Sequence, residues 1–375
     1  MRRILLAIFF VLVIPLCAAQ RPPSSLPVLD MRDYDNPVTR PRFVRQLKNA
    51  AQEVGFFALL NFGIEKQLLN HAYQSMNGFF AMAVDNKMRY CERALNGQRG
   101  YCPGECAKGQ SCSDFKEFFS VGRELIGGGS TSHDNVWPKE VNMRLPLVTL
   151  FNEIENKRSF LEEAFSEALG QPRDFFKAMT REGESLLRVF HYPARPPVQR
   201  FWAAPHTDIN LFTIFFPATE PGLQLKTKEG EWLQIVVPEG AVIVGCGDMM
   251  QNLTNGLFRS AVHRVVDEGK GKNRYAIAFY THGRYTDRMD PLPRCISMTG
   301  GVQRYVNATE RELLEERLVD LGLATIEVMD HLAKSGLMER QLLLGHASVQ
   351  AMQELKKAGL ASDAVLKALS DEKLD

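Results

Sequence analysis

The chain has 375 residues, of which 45% are hydrophobic and 24% charged, with a formal net charge of +1. Such values belong to a globular protein of one or two domains with a sizeable core, not to a disordered or fibrous chain. Acidic and basic residues are interleaved throughout, and no basic stripe carries aromatic residues, so nucleic acid is excluded as a partner.

In chain order, residues 1–19 read as a leader rather than as part of the fold. Met1-Arg2-Arg3 is a positive start, Ile4 to Leu16 is an apolar run, and Cys17-Ala18-Ala19 offers small residues for cleavage before Gln20. The run is shorter than the roughly 20 residues of a membrane span. The expectation is therefore an exported protein, periplasmic or secretory, that is free of the membrane once the leader is removed. A cytoplasmic or membrane-anchored chain is the alternative.

Residues from Pro41 to Val54 have the spacing of an amphipathic helix, with Pro in the first turn and Gly55 closing it. Phe56 to Phe62 is a short continuous apolar run, which predicts a buried strand. Glu65 to Val84 is helical in spacing, and residues 94–113 read as a polar loop. Six cysteines follow the leader: Cys91, Cys102, Cys106, Cys112, Cys246 and Cys295. Four of them cluster, and in an exported chain an even cluster predicts disulfides. Structural zinc is the alternative, although the spacings fit no standard zinc motif. Cys246, inside Val242-Ile243-Val244-Gly245-Cys246, reads as a buried core thiol. Gly127-Gly128-Gly129-Ser130 lacks the Lys-Ser/Thr of a phosphate-binding loop and reads as coil. Asn142 to Ala168 predicts a long helix and Arg173 to Glu184 a second.

From Leu186 the pattern changes to short apolar runs punctuated by Pro and Gly, at 186–192, 209–216, 222–226, 232–236, 241–245, 260–266 and 274–281. Strands at this spacing predict a jelly roll or closed sandwich. Helical spacing returns after Ala308. Thr309 and Glu312 form a capping-box pattern for a helix from Glu310 to Leu321, and the tail to residue 372 reads as a helical surface extension.

Within the strand-rich region, Pro205-His206-Thr207-Asp208 is answered downstream by His263 in Ala261-Val262-His263-Arg264-Val265. Two histidines and one carboxylate are the ligand set of a non-haem Fe(II) centre, which leaves metal positions open. Residues two apart on a strand share a face, so a strand through His206 and Asp208 would aim both at one ion. Arg274 follows His263, and a guanidinium is suited to gripping a carboxylate by two parallel bonds.

Residues from about 26 to 320 resemble the Fe(II)- and 2-oxoglutarate-dependent dioxygenases of the isopenicillin N synthase-like family. The resemblance rests on Leu186-Leu187-Arg188-Val189-Phe190-His191-Tyr192-Pro193, the His206/Asp208/His263 set, Pro221-Gly222-Leu223-Gln224-Leu225, Asn252-Leu253-Thr254-Asn255-Gly256 and Arg274-Tyr275-Ala276. Near the front it rests on Val54-Gly55-Phe56-Phe57, Arg99-Gly100-Tyr101 and Asp114-Phe115-Lys116-Glu117. It implies an α+β fold with a double-stranded β-helix (jelly-roll) core and a helical N-terminal segment, to which this chain adds a helical C-terminal extension read from its own spacing. The expected divisions are a leader at 1–19, an N-terminal segment at 20–140, helices at 141–184, a core at 185–292 and an extension at 293–375.

The resemblance also implies Fe(II) on His206, Asp208 and His263, and 2-oxoglutarate as co-substrate held by Arg274 and Tyr192. The reaction it implies is hydroxylation, desaturation or ring closure of a small organic substrate, with release of succinate and carbon dioxide. No further catalytic side chain is required. Two positions depart from the family pattern. Ala276 stands where a serine usually follows the arginine, and Phe190 stands where an asparagine often precedes the tyrosine. These departures leave room for a 2-oxoglutarate-independent iron oxidase or a non-catalytic binding protein as alternatives.

Overall fold

The computed structural model describes residues 26–105, 114–124, 133–194 and 201–371. The leader lies outside them. Strands numbered in chain order form two sheets. The major sheet contains β1 (Val28–Asp30), β2 (Phe56–Leu60), β3 (Gly100–Cys102), β4 (Glu117–Gly122), β5 (Leu186–Tyr192), β7 (Phe212–Phe215), β10 (Val242–Cys246) and β12 (Arg274–Thr281). Its order is β1-β2-β10-β7-β12-β5-β4-β3. The minor sheet contains β6 (Ala203–His206), β8 (Leu223–Lys226), β9 (Trp232–Gln234) and β11 (His263–Val265), in the order β6-β11-β8-β9. Pairing is antiparallel except between β1 and β2, which is the arrangement of a double-stranded β-helix with N-terminal strands added to one sheet.

Alternation along the strands decides what faces the space between the sheets. On β5 and β12, Leu187, Val189, Ile277 and Phe279 join the main core under the long helix Arg144–Leu169. Phe151 of that helix meets Phe279 at 5.1 Å and Phe165 meets Phe212 at 5.3 Å between ring centroids. The alternate residues Phe190, Tyr192 and Ala278 turn inward, towards Trp202, Ala203 and Val265. The major sheet is thus buried on both faces, which is why its strands read as nearly continuous apolar runs.

The helix Arg40–Glu53 ends at Gly55, whose φ of +81° and 2.3 Å approach of an added Cβ to the Arg259 carbonyl admit only glycine. Two sequence expectations are corrected. The second helix is confined to Phe175–Thr180. The chain must leave it early because Gly183 packs on the His282 and Gly283 backbone, where an added Cβ would lie 2.1 Å from the His282 carbonyl. Within the expected loop 94–113, Gly100–Cys102 is a strand that pairs with β4. Cys91 and Cys102 carry free thiols, and Cys106 and Cys112 lie outside the described residues. Cys102 is a buried core residue beside Phe118 and donates to the Gly104 carbonyl, so its surroundings are those of a packed thiol. Cys246 and Cys295 are also buried and free.

The C-terminal extension is helical, as its spacing predicts. Helix Glu310–Asp320 carries the expected Thr309/Glu312 capping box, yet most of its residues are buried. Helices Ile326–Ser335, Leu337–Leu344 and Val349–Lys357 cover it through Leu332, Leu337, Met338, Met352 and Leu355. It is an inner element that closes one end of the space between the sheets. No helix among the described residues is long and apolar enough to cross a membrane.

Candidate metal and co-substrate site

His206 ends β6 and His263 begins β11, and the two residues are direct cross-strand partners. Their rings lie 4.4 Å apart between centroids. Asp208 Oδ1 is 3.8 Å from His206 Nε2 and 3.7 Å from His263 Nε2. One ligand atom from each residue falls within 4.8 Å of the others, a grouping suited to a single ion. Asp208 is not on the strand, which stops at His206. It reaches the same point because the chain turns and docks on the start of helix Asp248–Leu253. There the Asp248 amide donates to the Asp208 carbonyl (2.8 Å) and the Met249 amide to the Ile209 carbonyl (3.0 Å). Gly247 allows that close approach, since an added Cβ would sit 2.0 Å from the Asn210 carbonyl.

Each candidate ligand is already oriented through its other polar atom. His206 Nδ1 lies 2.7 Å from the Ala204 carbonyl and His263 Nδ1 lies 3.3 Å from the Ala261 carbonyl. Donation from Nδ1 leaves the Nε2 lone pairs facing the gap. The Thr213 hydroxyl donates to Asp208 Oδ2 (2.7 Å), which leaves Oδ1 towards the histidines. Burial and the adjacent His263 push the His206 pKa down to about 3, against the pull of Asp208, so the imidazole is neutral. A second layer supports β6. Asp114 Oδ1 accepts the Ala204 amide (2.9 Å), and Lys116 holds Asp114 (2.9 Å) and Glu105 (2.8 Å). Burial works against the Lys116 charge, but Glu105 and Asp114 outweigh it and raise its pKa.

These groups open onto a cavity of about 360 Å³ between the sheets. Arg274 starts β12 opposite Tyr192, the last residue of β5, and its guanidinium lies 4.9 Å over the Tyr192 ring. Arg274 is buried. Its Nε donates to the Glu220 carbonyl (3.0 Å), while Nη1 has no hydrogen-bond partner. A buried cation that lines the cavity and keeps an unused donor fits a ligand carboxylate. Burial raises the Tyr192 pKa against the opposing Arg274 and Lys116 charges, so the phenol stays a protonated donor. Ala276 and Phe190 both line the cavity, and they are direct cross-strand partners. The two departures from the family pattern are therefore one change, an apolar pair in place of a polar one.

Sequence reasoning brought His206, Asp208, His263, Arg274 and Tyr192 to this cavity, and Phe190, Phe215 and Tyr280 line it as well. Behind the cavity wall, Trp202 packs on Tyr192 and donates to the Pro193 carbonyl. Lys116, Arg188 and Arg317 were missed as cavity residues, as were Leu314, Leu318 and Leu321 of the extension. The Asp114-Phe115-Lys116-Glu117 motif held part of that signal. It splits at the start of β4, with Asp114 and Lys116 before the strand lining the cavity and Glu117 on the outer face with Lys87, Tyr101 and His191.

Residues 26–140 match the family described as non-haem dioxygenase in morphine synthesis N-terminal, and residues 183–283 match the 2OG-Fe(II) oxygenase superfamily. A 2OG-Fe(II) oxygenase family protein from Caulobacter crescentus is 33% identical, with a TM-score of 0.70 over 78% of this chain and 98% of that one. The chain belongs to the 2OG-Fe(II) oxygenase superfamily. Among curated relatives, the 2-oxoglutarate-Fe(II) type oxidoreductase hxnY of Emericella nidulans is 26% identical, over 73% of this chain and 84% of its own length. A full-length Neurospora crassa protein solved in complex with alpha-KG shares the fold, with a TM-score of 0.70 at 22% identity over 78% of this chain and 95% of that one. As an oxygenase of the isopenicillin N synthase-like type, this chain uses Fe(II) and 2-oxoglutarate to oxidise a small organic substrate. The two-histidine, one-carboxylate donor set and the unpartnered Arg274 nitrogen fit the two groups that this chemistry needs.

Proposed function

We propose that His206, Asp208 and His263 hold the Fe(II) of this oxygenase and that Arg274, with Tyr192 beside it, grips the distal carboxylate of 2-oxoglutarate. The observation that carries the reading is the convergence of two histidine nitrogens and one carboxylate oxygen, each turned to the gap by a bond on its other polar atom. When bound, the metal and 2-oxoglutarate would let dioxygen serve as the oxidant, one oxygen atom ending in succinate as 2-oxoglutarate loses carbon dioxide and the other in the substrate or in water. The protein supplies orientation, charge and dryness. Leu186, Phe215, Leu314, Leu318 and Leu321 make apolar walls, and Gln98 and Arg188 add polar points. This lining supports a prime substrate with an apolar body and few polar groups. Hydroxylation, desaturation and ring closure all remain within the reach of such a cavity.

The test is anaerobic Fe(II) titration of the wild type, His206→Ala and Asp208→Ala, followed by oxygen uptake and succinate formation with and without 2-oxoglutarate. Metal affinity should collapse in the variants, and succinate should require 2-oxoglutarate. We also propose export of the chain after cleavage before Gln20, supported by the charged start, apolar run and small residues of 1–19. Mass spectrometry of protein from the native cell checks it, and an intact Met1 terminus would contradict it.

A further inference from the structure

Arg317 stands in the extension, on helix Glu310–Asp320, and is 8% exposed. It touches a loop 110 residues earlier in the chain. Its Nη1 donates to the Thr207 carbonyl (2.6 Å) and its Nη2 to Asp248 Oδ2 (2.6 Å), which also accepts the Thr207 hydroxyl (2.9 Å). Asp320 Oδ2 lies 3.8 Å from Nε.

The backbone consequence is specific. The Thr207 carbonyl belongs to the peptide plane before the Asp208 Cα, and the Asp208 carbonyl belongs to the plane after it. Arg317 holds the first plane, and the Asp248 amide, 2.8 Å from the Asp208 carbonyl, holds the second. Fixing both planes fixes the Cα–Cβ direction, and Thr213 then sets the carboxylate rotation. A guanidinium can serve a carbonyl and a carboxylate at once in a rigid fork, which an ammonium cannot. The helix bearing Arg317 is itself held from behind. Glu316 accepts from Gln341 and from the Ser348 amide, and Asp320 accepts from the Ser348 hydroxyl.

We propose that Arg317 is a positioning residue for the Asp208 ligand, so that the C-terminal extension is part of the metal centre rather than an appendage. The inference rests on the assignment of His206, Asp208 and His263 as metal ligands.

The full-length chain is tested as wild type, Arg317→Ala, Arg317→Lys, His206→Ala and Leu332→Ala. The readouts are Fe(II) and Co(II) affinity, the visible absorption of the Co(II) form and the melting temperature without metal. Groups that orient a metal ligand typically contribute about 10–100-fold in affinity. Arg317→Ala should lose that much and shift the Co(II) bands, and Arg317→Lys should recover part of both. Leu332→Ala, buried elsewhere in the extension, should lower the melting temperature and leave affinity and bands unchanged. If Arg317→Ala does not fold, Arg317→Lys decides by the same readouts. Wild-type affinity and bands in the Arg317 variants, with metal lost in His206→Ala, would overturn the proposal alone. Metal retained by His206→Ala would overturn the ligand assignment and the proposal with it.

Discussion

The two ends of the cavity differ in what they keep of the family pattern. At the end with His206, Asp208 and His263 every side chain of the pattern is present, and each has a partner that fixes its direction. At the Arg274 end the cation and Tyr192 are present, but two other polar positions of the pattern are replaced by Ala276 and Phe190. Ligand geometry cannot be approximated, because an ion needs several atoms at one point at once. A neutral hydrogen bond contributes only about 0.5–1.5 kcal/mol, so its loss is tolerated where a charge-assisted pair remains. The substitution also occurs on both strands together, so neither leaves an unsatisfied polar partner facing an apolar one.

The contrast can be broken from either end. The largest expected effect is at the metal. A double His206→Ala/His263→Ala variant should bind no stoichiometric Fe(II) while circular dichroism shows the fold intact, since both rings border a cavity rather than fill the main core. Next comes the loop geometry. Gly247→Ala places a methyl group against the Asn210 carbonyl, so calorimetric melting should report a loss of stability and Fe(II) titration a weaker site. Arg274→Ala should then raise the 2-oxoglutarate dissociation constant by about 100-fold in a binding titration, in line with roughly 1.5–3 kcal/mol for a hydrogen bond to a charged group. The smallest effect sharpens the comparison. Ala276→Ser should tighten 2-oxoglutarate binding by about threefold to tenfold, and Ala276→Ser with Phe190→Asn should exceed the sum of the single changes, because the two positions face each other across β5 and β12. Additive effects would show that the pair is not one unit.

The sequence carried the site where a motif is local and lost it where tertiary contact decides. His206 and Asp208 are neighbours in the chain, and His263 follows on its own apolar strand, so their grouping could be read directly. Arg317, by contrast, looks like any charged residue on a capped helix. Only the packing of that helix under its neighbours brings it to Thr207. The end of the strand before Asp208 is hidden for a related reason. Alternation extends the strand in a one-dimensional pattern, whereas the bonds from Asp248 and Met249 turn the backbone after His206. The helix expected over 173–184 is too long because helical spacing does not register the close backbone contact at Gly183. Strands 186–192 and 274–281 are legible throughout, since both of their faces are buried and no turn interrupts them.

The most direct test of the central claim is calorimetric titration of 2-oxoglutarate into the metal-loaded wild type and metal-loaded Arg274→Ala, with a metal-free wild-type control. Saturable one-to-one binding to the loaded wild type, weakened by about 100-fold in Arg274→Ala and lost without metal, is the result expected of a co-substrate held between the His206/Asp208/His263 ion and the Arg274 guanidinium. Equal, negligible binding in all three samples would contradict it.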